Sequence, residues 1–171
     1  MEKNNELEIN KFNSLYKDVF IEISNELKLK EHTERFKKKQ IGYLEKLDLF
    51  FHNKCPHEFE WIEKNSSIIN GEMKYNEGTD KNEFEIKNKE LNECIKKHDT
   101  GLTTPVVNFE KEFEMFNNEV SKGISECFKM ENETERKLCV KDKIMNNTKQ
   151  LLEIFNKYEK TFEEMNHNIK L

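Results

Sequence analysis

Four cysteines and five histidines are the side chains of this 171-residue chain best suited to covalent or metal chemistry. Two short spacings group them: His52-x-x-Cys55 and Cys94-x-x-x-His98. On a helix, steps of three and four residues bring side chains to one face. The four residues then offer two sulfurs and two nitrogens, a set that structural zinc accepts, with His57 as a spare. A second chemistry is a Cys94 thiolate activated by His98. The plain alternative treats the cysteines as small hydrophobes on buried helix faces. The surroundings argue against the reactive readings. His98 falls at an expected helix end, where a histidine caps or faces water. No oxyanion loop, Gly-rich turn or third orienting group accompanies the pair, and the five isolated glycines make no phosphate-binding loop. The expectation is a protein that is not an enzyme and needs no cofactor. The zinc set His52, Cys55, Cys94 and His98 is a minor alternative.

Helices must position these residues. Apolar residues recur at helical spacing through Phe12, Tyr16, Val19, Ile23 and Leu27. The pattern weakens at "KLKEHTER" and resumes from Phe36 to Phe51. Pro56 suits a kink or the first turn of a new helix. The polar stretch Asn70–Glu83, with Gly71 and Gly78, reads as a loop or insertion. Helical spacing returns from Phe84 to His98, and Gly101 can take a left-handed cap. Thr103 or Thr104 and Pro105 begin the next helix. Its stripe runs Val106, Phe109, Phe113, Phe116, Val120, Ile124 and Cys127 on one face. Asn132 and Glu135 suggest a capping box before a final helix that reaches the C-terminus. No β alternation or solenoid repeat stands out. The expected class is all-α, with four to five amphipathic helices in antiparallel hairpins. One domain over 1–171 divides into N-terminal helices (1–54), a first cysteine-bearing hairpin (55–101, insertion near 70–83) and a second hairpin (103–171).

Composition narrows the function classes. The chain is 35% hydrophobic and 37% charged, so any core is thin, and thirteen Phe supply most of the large apolar surface. A net charge of −5, with signs mixed along the chain, is no footprint for nucleic acid. No apolar run nears the ~20 residues that span a bilayer. The helices mix Glu with Lys on their polar faces, where a membrane-surface helix favours Lys and Arg, so membrane contact is expected to be indirect if any. The opening "MEKNNELEINKF" reads as neither signal peptide nor presequence, and entry into an organelle is expected by another route.

Each cysteine opens a five-residue stretch: "CPHEF", "CIKKH", "CFKME" and "CVKDK". With "LDLFFHNKC", "LNECIKKHD", "FEMFNNEVSKGISEC" and "KLCVKDKIMNNTKQLLEIFNKYEKTF", this order resembles the mitochondrial "family with sequence similarity 136". Those proteins carry four Cys-x-x-x-Cys motifs. The last two segments are also similar to the small translocase-of-inner-membrane chaperones, helical hairpins of the intermembrane space. The resemblance covers roughly residues 40–165 and departs in one respect. Only the first cysteine of each motif is present, with Phe59, His98, Glu131 and Lys143 at the second positions.

Twin-motif hairpins join the first cysteine of one helix to the second of the other. With first cysteines alone, the partners are offset by a turn, roughly 6 Å, between axes about 8–10 Å apart. That exceeds the ~7 Å Cα limit for a disulfide unless the register has shifted. A tight turn near Glu133 would shift it for Cys127 and Cys139, the expected disulfide. Cys55 and Cys94 are left to pair, to bond another chain or to stay reduced.

The resemblance implies a mitochondrial protein of the intermembrane space. The first functional expectation is a structural or accessory subunit of a larger assembly, such as an inner-membrane respiratory complex. It would meet other protein subunits through Phe-rich helices, with Phe109, Phe113, Phe116 and Val120 as the candidate face. The alternatives are a free chaperone-like protein that holds hydrophobic clients, a zinc-stabilised helical adaptor, or an adaptor outside mitochondria.

Overall fold

A computed structural model describes the backbone of residues 2–171 and the side chains from Glu6 onward. The class is all-α. Six helices are present among the described residues: α1 (Glu2–Glu26), α2 (Leu29–Lys54), α3 (Pro56–Asn65), α4 (Lys81–His98), α5 (Thr104–Phe128) and α6 (Glu133–Asn168). The only strands among them are β1 (Ser66–Ile69) and β2 (Glu72–Tyr75). None of these helices is long and apolar enough to cross a membrane.

Local chemistry explains the breaks. Lys28 takes φ 52° between α1 and α2, where "KLKEHTER" interrupts the apolar pattern. Pro56 opens α3, since its fixed φ and missing N–H suit a first turn. Asp80 caps α4 by accepting the Glu83 N–H at 2.9 Å. Asn132 caps α6 by accepting from the N–H groups of Thr134 (2.9 Å) and Glu135 (3.1 Å). Gly101 turns the chain at φ 91° after α4. Asp99 braces that turn by accepting from the Gly101 and Thr103 N–H groups and from the Thr103 hydroxyl.

The chain forms two compact units, residues 1–40 with 105–162, and residues 41–104 with 163–171. These follow other lines than the expected 1–54, 55–101 and 103–171, because α2 and α6 each contribute to both units.

In the first unit α5 and α6 form an antiparallel hairpin. Facing pairs are Phe109 with Tyr158 (ring centroids 5.3 Å), Glu112 with Lys157 (2.6 Å), and Cys127 with Cys139. Gly123 is buried between them, and a Cβ there would lie 3.3 Å from the Lys143 side chain, so glycine permits the close approach. One apolar cluster joins Phe12, Val19 and Ile23 of α1 to Cys127, Val140 and Ile144. A second gathers on Phe36, whose ring lies 4.6 Å from Phe155, 4.9 Å from Phe109 and 6.2 Å from Phe162.

In the second unit α3 and α4 face each other around Cys55, Ile62 and Leu91. Between them, β1 and β2 form an antiparallel hairpin with Ile69 opposite Glu72. Its turn is Asn70-Gly71, at φ 54° and 81°, the two positive angles of a type I′ turn. Tyr43 is fully buried and donates its hydroxyl to the Leu102 carbonyl. Burial, with the nearby Asp99 charge, pushes its pKa up to about 12. The C-terminal segment is held by Lys46, which donates to the Asn166 carbonyl at 2.6 Å, and by burial of Ile169.

Candidate functional site

The cysteines are brought together in pairs. Cys55–Cys94 is bonded at a Cα separation of 6.1 Å, and Cys127–Cys139 at 5.6 Å. No described cysteine is free. The offset expected from helix geometry does not arise at Cys55, because this residue is not inside a helix. It is the N-cap of α3, at φ −127° and ψ 49°, where the chain steps from α2 into α3. At the other pair the turn is centred on Lys129–Asn132 rather than on Glu133. Arg136 supplies the register. Its Nε and Nη2 donate to the Met130 carbonyl at 2.9 and 2.6 Å. The turn is thereby laid along the first coils of α6, and Cys127 comes level with Cys139.

This pairing removes both reactive readings of Cys94. A sulfur bonded to Cys55 offers no thiolate to a zinc ion or to His98. The set His52, Cys55, Cys94 and His98 is therefore not a ligand shell. Among the described residues no group of three or more His, Cys, Asp or Glu is placed to hold a metal ion.

His52 instead clamps α2 to α3. Its ring stacks on Phe59 with centroids 3.8 Å apart and planes at 18°. Nδ1 lies 2.9 Å from the Asp48 carbonyl, and Nε2 lies 2.9 Å from a Glu63 carboxylate oxygen. Both partners are acceptors. A neutral imidazole can donate to only one of them, whereas the imidazolium donates to both. Partial burial favours the neutral ring, but the hydrogen bonds to Asp48 and Glu63, with the charges of both residues, outweigh it and raise the pKa. The raised His52 pKa adds stability that is fully present below the unfolded value of 6.5 and is lost as pH rises through the folded value. The His52 ring protons, followed by NMR, should titrate with a midpoint above 6.5, and E63Q should bring that midpoint down. A midpoint at 6.5 that ignores Glu63 would refute the clamp.

The proposed partner face requires a correction. Phe109 and Phe116 are buried, and Phe113 and Val120 are half-buried. Phe109 meets Phe36, Tyr158 and Phe162 within its own unit. Phe109 and Phe116 are thus core, Phe109 covered by this chain's own α2 and α6, while Phe113 and Val120 keep part of their surface exposed. The stripe's lower rim is polar: the Tyr158 hydroxyl (2.7 Å) and Lys157 Nζ (2.6 Å) both donate to one Glu112 oxygen. These bonds hold the Glu112 carboxyl below its usual range.

One exposed feature was not anticipated. The β hairpin overlaps the expected loop Asn70–Glu83 only through its turn and β2, with β1 lying before it, and it displays Ile68, Met73 and Tyr75 to solvent. Asn-Gly between Ile69 and Glu72 was the signal that could have disclosed it.

No protein-family model matches the chain, and neither a curated protein nor a solved structure does.

Proposed function

We propose that the protein is a non-catalytic accessory subunit, stapled by two disulfides and working beside other protein subunits in an oxidising compartment. The observation that carries this reading is the pairing of all four cysteines between separate helical segments. Disulfides of this kind persist where the redox environment is oxidising. The cysteine arrangement favours the mitochondrial intermembrane space, and an inner-membrane respiratory complex is the kind of assembly it suits. A free chaperone is less well supported, since holding clients needs exposed apolar helix faces and the longest Phe stripe is internal. Contact with other subunits falls instead to apolar side chains left at the surface, among them Phe20 and Ile21 on α1.

The test is thiol trapping in intact cells, followed by sizing of native extract. All four cysteines should resist maleimide until a reductant is added, and the protein should co-migrate with a large assembly. Four reduced thiols in cells would overturn the compartment. A free small species would overturn the subunit role.

A further inference from the structure

The β hairpin has an unpaired outer edge whose chemistry is self-complementary. In a type I′ turn the Ile69 carbonyl accepts from the Glu72 N–H, which makes Ile69–Glu72 a hydrogen-bonded pair. Bonded and non-bonded pairs alternate along an antiparallel ladder. The Asn76 N–H donating to the Asn65 carbonyl at 2.8 Å extends the same phase. Ile68–Met73 and Ser66–Tyr75 are therefore the non-bonded pairs of the register. It follows that the N–H and C=O groups of Met73 and Tyr75 point away from β1. The sheet has two strands among the described residues, so that edge of β2 has no strand beside it. The same face carries Ile68, 76% exposed, and Met73, 53% exposed.

We infer that this edge pairs with β2 of a second copy, joining two hairpins into a four-stranded antiparallel sheet with its two-fold axis at Met73. The edge groups of Met73 then exchange both hydrogen bonds with their counterparts across the axis. Glu72 falls opposite Lys74 of the other copy, and Lys74 opposite Glu72, so symmetry makes two attractive pairs. A slip of two residues either way sets Lys74 against Lys74 or Glu72 against Glu72, and like charges directly opposed are unfavourable. Charge thus selects one register and one occupant. Lysine on an edge strand ordinarily discourages pairing; here the glutamate two residues earlier makes it permissive for this chain alone. Across the apolar face, Ile68 and Met73 of both copies form one row. A lone two-stranded hairpin is marginal in water, and four strands with an apolar face are not. The edge of β1 carries Ser66, Ser67, Ile68 and Ile69, with no charge to choose a register. This inference is independent of the proposed compartment and assembly.

Sedimentation of the purified full chain, disulfides intact, tests it. The wild type should show a concentration-dependent dimer. E72K or K74E alone turns two attractive pairs repulsive and should weaken association by ~10-fold or more. Mixing the two variants, or combining both changes in one chain, should restore it. M73P removes an outward N–H that the hairpin does not itself use, so it should abolish the dimer while Trp61 fluorescence stays as in the wild type. A wild type that stays monomeric to about 1 mM, or a dimer indifferent to the single swaps, overturns the proposal. So does a mixture that associates no better than either variant alone. If M73P misfolds, the charge swap decides by itself.

Discussion

Replacing Cys55 and Cys94 together by serine should destabilise the unit of residues 41–104 and 163–171 by about 4 kcal/mol, the loop-closure expectation for a separation of 39 residues. This should exceed the effect of removing Cys127–Cys139, whose separation of 12 residues gives about 3 kcal/mol. The surroundings widen the difference. Cys55, Ile62 and Leu91 are the buried members of the α3–α4 core, with Phe59, Trp61, Phe84 and Ile95 only partly covered. The 10-residue α3 is shorter than an isolated helix that persists in water. Without the staple, little apolar burial remains to hold α3 against α4. The chain's single tryptophan, Trp61, sits in α3 with its ring 6.3 Å from that of Phe84, so its fluorescence reports this unit. In denaturant, the Trp61 transition of C55S/C94S should move to much lower concentration, while that of C127S/C139S should stay near the wild type. If the two variants shifted Trp61 equally, or if C55S/C94S shifted it by less than ~1 kcal/mol, the staple would not be what holds α3 to α4.

How much of this was legible beforehand depends on where the information lies. The α5 stripe, the Asn132 cap and the left-handed Gly101 are local patterns, and they were readable residue by residue. Covering is not local. An apolar stripe such as Phe109–Phe113–Phe116 has the same spacing whether its own helices or another protein bury it, and only the fold shows that Phe109 and Phe116 are buried within their own chain. The hairpin was missed for a different reason. Its strands are four residues each and nearly wholly exposed; SSII does not alternate and the polar–apolar alternation of EMKY is too short to stand out, although Asn70-Gly71 marks the turn. Helical spacing alone leaves the Cys55–Cys94 bond open, because that spacing treats Cys55 as lying inside a regular helix. Pro56 ends that regularity, and one residue's change of backbone direction decides whether the sulfur can reach Cys94.

The aromatic cluster sets the other large effect. Phe36→Ala should cost about 4 kcal/mol in the unit of residues 1–40 and 105–162, by lost burial and the cavity left behind. Phe36 is 3% exposed. Its ring stacks on Phe155 at 4.6 Å and tilts against Phe109 and Phe162, so one side chain ties α2 to both α5 and α6. The polar link beside it counts for much less. Arg35 Nε lies 2.8 Å from Glu159, but the Arg35 side chain is 52% exposed, and exposed ion pairs contribute about 1 kcal/mol or less. R35A should therefore leave the melt almost unmoved where F36A lowers it steeply. The comparison also separates core from partner face. Were the Phe stripe a surface awaiting another protein, F109A would leave the isolated chain as stable as before. As core, it should cost nearly as much as F36A, and half-buried Phe113→Ala should cost less. Far-UV circular dichroism of the isolated chain in denaturant, with Trp61 fluorescence followed in parallel, measures all four. A loss below ~1 kcal/mol for both F36A and F109A would return the stripe to the surface. A large loss for both, with the Trp61 transition little changed, would place it where the rings already lie, inside the first unit.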